Sequence, residues 1–160
     1  MSVITPYIDN LENIKNNLPE IASKAINENY SEIVMLVKSA QLGRGLNSRG
    51  EPLSWDGGSG KYAASTQGYA TRDDVRVPKT KGAPYDFSWT GETLDNTQLK
   101  QNPEESTYEI FTIAWKQRML ESKLGYGEIF KLTDKHNNYV NEKMILPAIY
   151  RYILRNLLSP

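Results

Sequence analysis

Residues 107–115 read Thr-Tyr-Glu-Ile-Phe-Thr-Ile-Ala-Trp, and this stretch carries the strongest strand signal in the chain. Most of its residues are β-branched or aromatic, the types that favour a pleated, half-buried surface. A second stretch, residues 85–90, alternates aromatic and polar side chains and ends at Gly91, which is typical of a half-buried strand. Together the two stretches predict a small antiparallel sheet in the middle of the chain.

Helical patterns occur on the N-terminal side of these strands. Thr5-Pro6 is a helix-start signal, since a capping hydroxyl precedes a proline at the first helical position. Apolar residues then follow at spacings of three and four. The pattern predicts a helix over 6–29, with a break at 18–19 because Pro19 cannot continue the backbone bonding.

The C-terminal third is also predominantly helical in pattern. Residues 116–124 suit a short helix, and 129–132 suit a short extended piece. Thr133 can cap a final helix that runs through Lys143, and Pro147 then restarts it. The last helix places four apolar residues on one face: Ile149, Tyr152, Ile153 and Leu157.

The segment between the first helix and the sheet is harder to assign. Residues 32–38 are rich in β-branched residues and predict a buried strand, with a helix as the alternative because periodicity cannot separate the two in so short a run. Residues 46–53 contain turn formers and a proline, which indicates a hairpin tip or an extended arm. Residues 54–83 show little regular pattern, and a compact domain rarely carries such a length without a functional reason.

The order of elements predicts an α+β fold. It has N-terminal helices, a small central antiparallel sheet with a long extended arm, and C-terminal helices. The length predicts a single domain over 1–160, with a body formed by 1–43 and 84–160 and an arm at about 44–83.

The composition excludes several kinds of active site. The 160 residues include no cysteine, which removes thiolate metal sites and cysteine nucleophiles, and one histidine, His136. Glu104 and Glu105 are adjacent and would point to opposite faces of an extended chain. The glycines of 57–61 lack the spacing of a phosphate-binding loop. We predict that the protein is not an enzyme and has no catalytic, metal-binding or cofactor-binding residues; a small hydrolase centred on His136 remains an alternative.

The net charge of zero is built from alternating blocks. Residues 1–37 hold 2 basic and 5 acidic side chains, giving −3, and residues 38–81 hold 8 and 4, giving +4. Residues 82–110 hold 1 and 6, giving −5, and residues 111–160 hold 8 and 4, giving +4. The blocks are consistent with solvated faces of a neutral protein. They are also consistent with a basic arm that meets an acidic face on a second copy.

The arm is the predicted contact surface, because basic and aromatic side chains are interleaved along it. The candidate subunit-interface residues are Arg44, Arg49, Trp55, Tyr62, Tyr69, Arg72, Arg76 and Lys79 in the arm, with Tyr152 on the last helix. The same mixture could bind nucleic acid through charge and stacking over 44–81. We favour a protein partner, because Asp73 and Asp74 interrupt the basic run.

Membrane targeting is not expected. The N-terminus lacks the charged and apolar regions of a signal peptide. The longest apolar runs, 33–37 and 144–150, fall far short of the ~20 residues that cross a bilayer. We therefore expect the protein to be made and assembled in the cytoplasm.

Several short motifs occur in a fixed order along the chain. They are Gln41-Leu42, Gly50-Glu51-Pro52-Leu53, Asp86-Phe87-Ser88-Trp89-Thr90-Gly91 and Tyr126-Gly127-Glu128-Ile129-Phe130-Lys131-Leu132-Thr133, followed by Leu146-Pro147. In this order the chain resembles small structural proteins of tailed bacteriophages, of the neck or tail-completion type found in crAss-like and related phages.

The resemblance implies a virion component assembled in the host cytoplasm. It further implies a homo-oligomeric ring at the head–tail junction, without catalytic residues. The implied partners are the portal and the adjacent connector or tail ring proteins, with packaged DNA as a further contact. The Gly-rich stretch at 56–68 departs from the family pattern.

Overall fold

The computed structural model of the chain describes residues 5–53, 61–62, 68–72, 75–83, 92–102, 107–113 and 129–157. Within these ranges, helices occupy the N- and C-terminal regions, and two pairs of short antiparallel strands lie between them. The predicted α+β fold class is confirmed. The predicted strand over 85–90 and the predicted helix over 116–124 lie outside the described residues.

The first helix, α1, spans Thr5–Glu28, as the Thr5-Pro6 signal predicts. The predicted break at 18–19 is wrong, because the helix runs through Pro19 without interruption. A proline inside a helix removes one N–H bond and presses on the carbonyl four residues earlier, which here belongs to Lys15. Lys15 and Pro19 are both exposed, and the helix continues on both sides of the proline.

The second helix, α2, spans Tyr30–Met35 and continues as a π-helical segment over Leu36–Gln41. The strand predicted over 32–38 is therefore wrong. Three apolar side chains of this stretch are buried: Ile33, Val34 and Val37. Met35 between them is exposed, so the burial follows one face of a helix and not both faces of a strand.

A tight turn follows the π-helical segment. Leu42–Arg44 forms one 3₁₀ turn, which Gly45 ends in the left-handed region at φ 69°, a conformation that favours glycine. A Cβ at Gly43 would lie 2.9 Å from the carbonyl oxygen of Lys38, so this position also requires glycine. The chain then reverses, and Leu46 pairs with Pro52 in an antiparallel bridge.

The strands form two separate hairpin-like pairs in the described part of the chain. Strand β1, Gly68–Arg72, pairs with β2, Val75–Lys79. A single helical turn, α3 at Glu92–Asp95, leads into β3, Thr97–Asn102, which pairs with β4, Thr107–Thr112. The strand signal in residues 107–115 is thus confirmed over 107–112, with a partner strand that the sequence analysis did not assign.

The hydroxyls of Thr97 and Thr112 anchor the second pair to α3. Both donate to the carbonyl oxygen of Thr93, at 2.8 and 3.1 Å. All three threonines are buried, so these bonds satisfy polar groups that water does not reach.

The C-terminal helices form one uninterrupted stretch. It consists of α4 at Asp134–Val140, a π-helical segment at Asn141–Ile145 and α5 at Leu146–Leu157. Thr133 caps α4 as predicted, because its hydroxyl accepts a hydrogen bond from the backbone N–H of His136 at 3.2 Å. Pro147 does not restart the helix. Instead, the π-helical widening lies directly before the proline, where its ring would press on the preceding turn.

One hydrophobic core lies among α1, α2, α3, α4, the second strand pair and the two π-helical segments. Its buried side chains are Ile26, Ile33, Val34, Val37, Leu42, Leu53, Leu94, Leu99, Ile110, Ile129, Phe130, Val140 and Met144. Residues 129–132, predicted as an extended piece, form a turn that places Ile129 and Phe130 in this core. Among the side chains that the structure describes, α1 contributes Ile26 to it and α5 contributes none.

Candidate subunit interfaces

The predicted interface residues of the arm are distributed over three parts of the structure. Arg44 and Arg49 lie in the turn after the π-helical segment, and both are exposed. Tyr69 and Arg72 lie in β1 and Arg76 lies in β2, where Tyr69 is opposite Pro78 and Arg72 is opposite Val75. Trp55 lies outside the described residues. The predicted arm is therefore a tight turn at 46–53 and a separate hairpin at 68–79, here called the 68–79 hairpin.

Asn47 organises the turn that carries Arg49. Its side-chain oxygen accepts hydrogen bonds from the backbone N–H groups of Arg49 and Glu51, at 2.9 and 3.0 Å. The Arg49 guanidinium pairs with the Glu51 carboxylate at 2.9 Å. The Asn47 amide and the Arg49 charge hold the pKa of Glu51 below its usual value. Arg49 is thus already paired within its own subunit, although an exposed pair of this kind adds little to stability.

Tyr62 and Lys79 form the base of the 68–79 hairpin. Both are buried, and the Lys79 ammonium lies 5.4 Å from the centre of the Tyr62 ring, a cation–π distance. The Tyr62 N–H donates to the Ala83 carbonyl, and the Gly82 N–H donates to the Tyr62 carbonyl. Both residues are predicted as contact surface from the sequence. Their burial instead makes them part of the subunit.

Leu53 also differs from its predicted place in the arm. Its side chain is 0% exposed and belongs to the core, and its N–H donates to the Gly45 carbonyl at 2.7 Å. The turn at 46–53 is therefore fixed to the body at both ends.

The exposed apolar side chains concentrate on the two terminal helices. On α5, these are Leu146, Tyr150, Leu154 and Leu157, and on α1 they are Tyr7, Ile8 and Leu11. Their exposed fractions run from 37 to 63%. Residues four apart lie on the same side of a helix, so each set forms a row. We call the two rows together the terminal-helix strip.

The apolar face predicted for the last helix coincides only in part with the apolar side chains that are exposed on it. Tyr152, Ile149 and Ile153 are half-buried, whereas Leu157 belongs to the exposed row. Helix α1 packs along α5, which accounts for the half-buried side. The sequence analysis missed Leu146, Tyr150 and Leu154, although their spacing of four is visible in the sequence.

A shallow groove of about 310 Å³ separates α2 from α4. His136 and Tyr139 line it from α4, and Glu32 lines it from α2. The Tyr139 hydroxyl donates to Glu32 Oε1 at 2.8 Å, which raises the pKa of Tyr139. Nδ1 of His136 is buried and finds no hydrogen-bond partner among the described residues. Those residues include no group of three histidine or acidic side chains placed to hold a metal ion.

Comparisons of the chain with protein-family models, curated proteins and solved structures found no match. The resemblance to phage neck proteins therefore stays a prediction. Among the described residues, each helix is too short or too polar to span a bilayer. The function is best argued from the exposed surfaces.

The position of His136 predicts a small pH dependence of stability. Desolvation by burial, followed by the charges of Lys135 and Arg44, lowers the pKa of His136 below its usual 6.5. The unfolded chain therefore takes up this proton first, so stability is full above about pH 6.5 and falls as the pH drops from there towards the folded-state pKa. Thermal unfolding of the wild type at about pH 7.5 and about pH 5.5 measures the loss, and His136→Gln should remove this contribution. An equal loss in the variant would assign it to other groups.

Proposed function

We propose that the protein is a non-enzymatic structural subunit of a tailed-phage virion, which forms a ring at the head–tail junction. The observation that supports the proposal is the terminal-helix strip, since a large exposed apolar surface is typical of an assembly contact. The protein would act by protein–protein assembly in the host cytoplasm. Its partners would be further copies of itself, the portal and the adjacent connector or tail ring proteins.

The 68–79 hairpin supplies a second kind of contact in this proposal. Three of the predicted interface residues, Tyr69, Arg72 and Arg76, lie on its strands. The hairpin belongs to a basic block, and residues 82–110 form an acidic one. A hairpin that reaches an acidic face of the next copy makes a head-to-tail contact, which closes into a ring when the rotation permits.

The alternative of nucleic-acid binding through 44–81 receives less support. Lys79 is 6% exposed, and its ammonium lies against the Tyr62 ring. Arg49 is paired with Glu51. Two of the basic groups counted for that alternative are thus engaged within the subunit, and phosphate binding depends on free cationic groups.

Excision of the 68–79 hairpin tests the proposal. A variant in which residues 63–78 are replaced by a short Gly-Ser linker should fold, because Tyr62 and Lys79 already lie together and Tyr62 is hydrogen-bonded to Gly82 and Ala83. It should fail to restore infectivity to a source phage that lacks its own copy. The paired variant Arg72→Ala/Arg76→Ala keeps the hairpin and removes two charges, and the matched control Lys24→Ala/Lys100→Ala removes two exposed charges elsewhere.

The readouts are infectious titre, circular dichroism and mass spectrometry of purified particles. We expect the wild type and the control in the particles, and the excised variant folded but not assembled. Full infectivity of the excised variant would refute the role of the hairpin. The absence of the wild-type protein from purified virions would refute the proposed function as a whole.

A further inference from the structure

We infer that the terminal-helix strip is a self-association surface, on which a second copy packs about a two-fold axis with α1 of one copy against α5 of the other. This contact is separate from the head-to-tail contact of the hairpin. The two-fold contact adds a second kind of contact to the proposed function. It rests on the proposed function only because both require that the chain associates with itself.

The strip is large for the surface of a single subunit. A half-exposed leucine or tyrosine offers about 100 Å², so seven such side chains present about 700 Å² in each copy. The largest apolar patch of a typical monomer is about 300–600 Å². Stable interfaces bury about 600–1,000 Å² on each partner, and the area of the strip lies within that range.

Both rows lie on one side of the helix pair. Helix α1 reaches the core at Ile26, near its C-terminal end, whereas α5 begins two residues after the core residue Met144 and so has its N-terminal end at the core. Since the two helices pack along each other, they run in opposite directions.

The rotation from packed side to exposed row has the same sense in both helices. On α1 the rotation from Ile14 in the direction of increasing residue number is about 20° to Tyr7, about 60° to Leu11 and about 120° to Ile8. On α5 the rotation from Ile149 to Tyr150 is about 100° in the same direction. Because α1 and α5 run in opposite directions, rotations of the same sense about their two axes turn both rows towards the same side of the helix pair. The two rows therefore face the same side of the helix pair, so one isologous contact can use both.

Charge selects the pairing. Glu12 is exposed on α1 at the outer edge of its row, next to Ile8, and Arg151 is exposed on α5 at the outer edge of its row, next to Leu154. A two-fold axis that sets α1 against α5 brings each Glu12 towards an Arg151 of the other copy. The alternative two-fold pairing, α1 against α1, would oppose like charges. A second copy thus satisfies both the apolar rows and the charges that border them.

The experiment measures molar mass by light scattering after size exclusion, over a range of concentrations. The variant Leu146→Glu/Tyr150→Glu places charges in the most exposed part of the α5 row. We expect it to fold and to lose the two-fold contact. The control Ile113→Glu changes an equally exposed apolar side chain outside the strip, and its mass should match that of the wild type.

Charge reversal then tests the pairing itself. Glu12→Arg and Arg151→Glu should each weaken association, and the two together should restore it. The control Glu28→Arg reverses an exposed charge on the same helix away from the row, and should leave association unchanged. Circular dichroism of every variant confirms that a loss of mass is not a loss of folding.

Each outcome decides the inference separately from the proposed function. A wild type that is monomeric at every concentration, or a Leu146→Glu/Tyr150→Glu variant with unchanged mass, overturns it. Failure of the double reversal to restore association overturns the assigned pairing of α1 with α5. None of these results affects the test of virion content, which depends on the protein in purified particles.

Discussion

Replacing Leu53 with alanine is expected to lower the free energy of unfolding by about 3–5 kcal/mol, the range for a fully buried leucine whose cavity does not collapse. Leu53 is 0% exposed and belongs to the same core as Ile33, Leu42 and Ile129. The Gly45 carbonyl fixes its backbone, so the site has little freedom to close around the missing atoms. Urea unfolding followed by circular dichroism measures the change.

The exposed Met35 provides the matched control. Met35→Ala also shortens a large apolar side chain, but Met35 is 53% exposed and should cost well under about 1 kcal/mol. A Leu53→Ala cost as small as that of the control would place residues 44–53 outside the body, as the sequence analysis assumed.

The burial of Leu53 also changes what a deletion can show. Removal of 44–81 would take Leu53, Tyr62 and Lys79, three buried side chains, out of the subunit. A loss of assembly in such a variant would report unfolding and not a missing contact. The excision of 63–78 avoids this, because it keeps all three.

The elements that could be predicted from the sequence are those with a local chemical signal. The hydroxyl of Thr133 caps α4 whatever lies around it, and Thr5-Pro6 marks the start of α1 by backbone chemistry alone. The stretch at 107–112 is a strand because its residue types suit a pleated surface with a buried face. These features depend little on tertiary contacts.

The errors occur where tertiary packing decides between two local options. Residues 32–38 are β-branched, but Ile33, Val34 and Val37 are buried while Glu32 and Met35 are exposed. That spacing of one and four in the buried residues fits a helix, but the sequence does not show it, because residues 33–37 are all apolar. The composition of the run favoured a strand. Burial against Leu42 and Ile129 outweighs this preference.

The interfaces were only partly predictable for a related reason. The sequence shows that the last helix has an apolar face, but not which half of that face α1 covers. Leu146, Tyr150 and Leu154 are recognised as surface only when the packing of α1 on α5 is known. Similarly, Tyr62 and Lys79 resemble contact residues in the sequence, and only the pairing of Tyr62 with residues 82–83 places them inside.

Replacing Gln41 with alanine is expected to lower the free energy of unfolding by about 2–4 kcal/mol, because two hydrogen bonds and a buried volume are lost together. Gln41 is fully buried at the end of the π-helical segment. Its Nε2 donates to the carbonyl oxygens of Ile129 and Lys131, at 2.9 and 2.8 Å. One side-chain amide thus holds the turn that brings Ile129 and Phe130 into the core.

The control for Gln41 is Gln98→Ala, which removes the same side chain from an exposed position on β3 and should change the free energy of unfolding by less than about 0.5 kcal/mol. Gln41→Leu separates the two contributions. It keeps most of the volume but cannot donate, so it should recover only the part of the loss that is due to the cavity.

Gln41→Glu is the most informative replacement, since it keeps the shape and changes only the donor. An ionised carboxylate would face two carbonyl oxygens without a proton to share, so the loss should exceed that of Gln41→Ala at neutral pH. At low pH the protonated acid regains one donor, and the difference from the wild type should shrink. If Gln41→Glu were as stable as the wild type at neutral pH, the donation to Ile129 and Lys131 would not hold the turn, and its order would have to come from the apolar contacts of Ile129 and Phe130 alone.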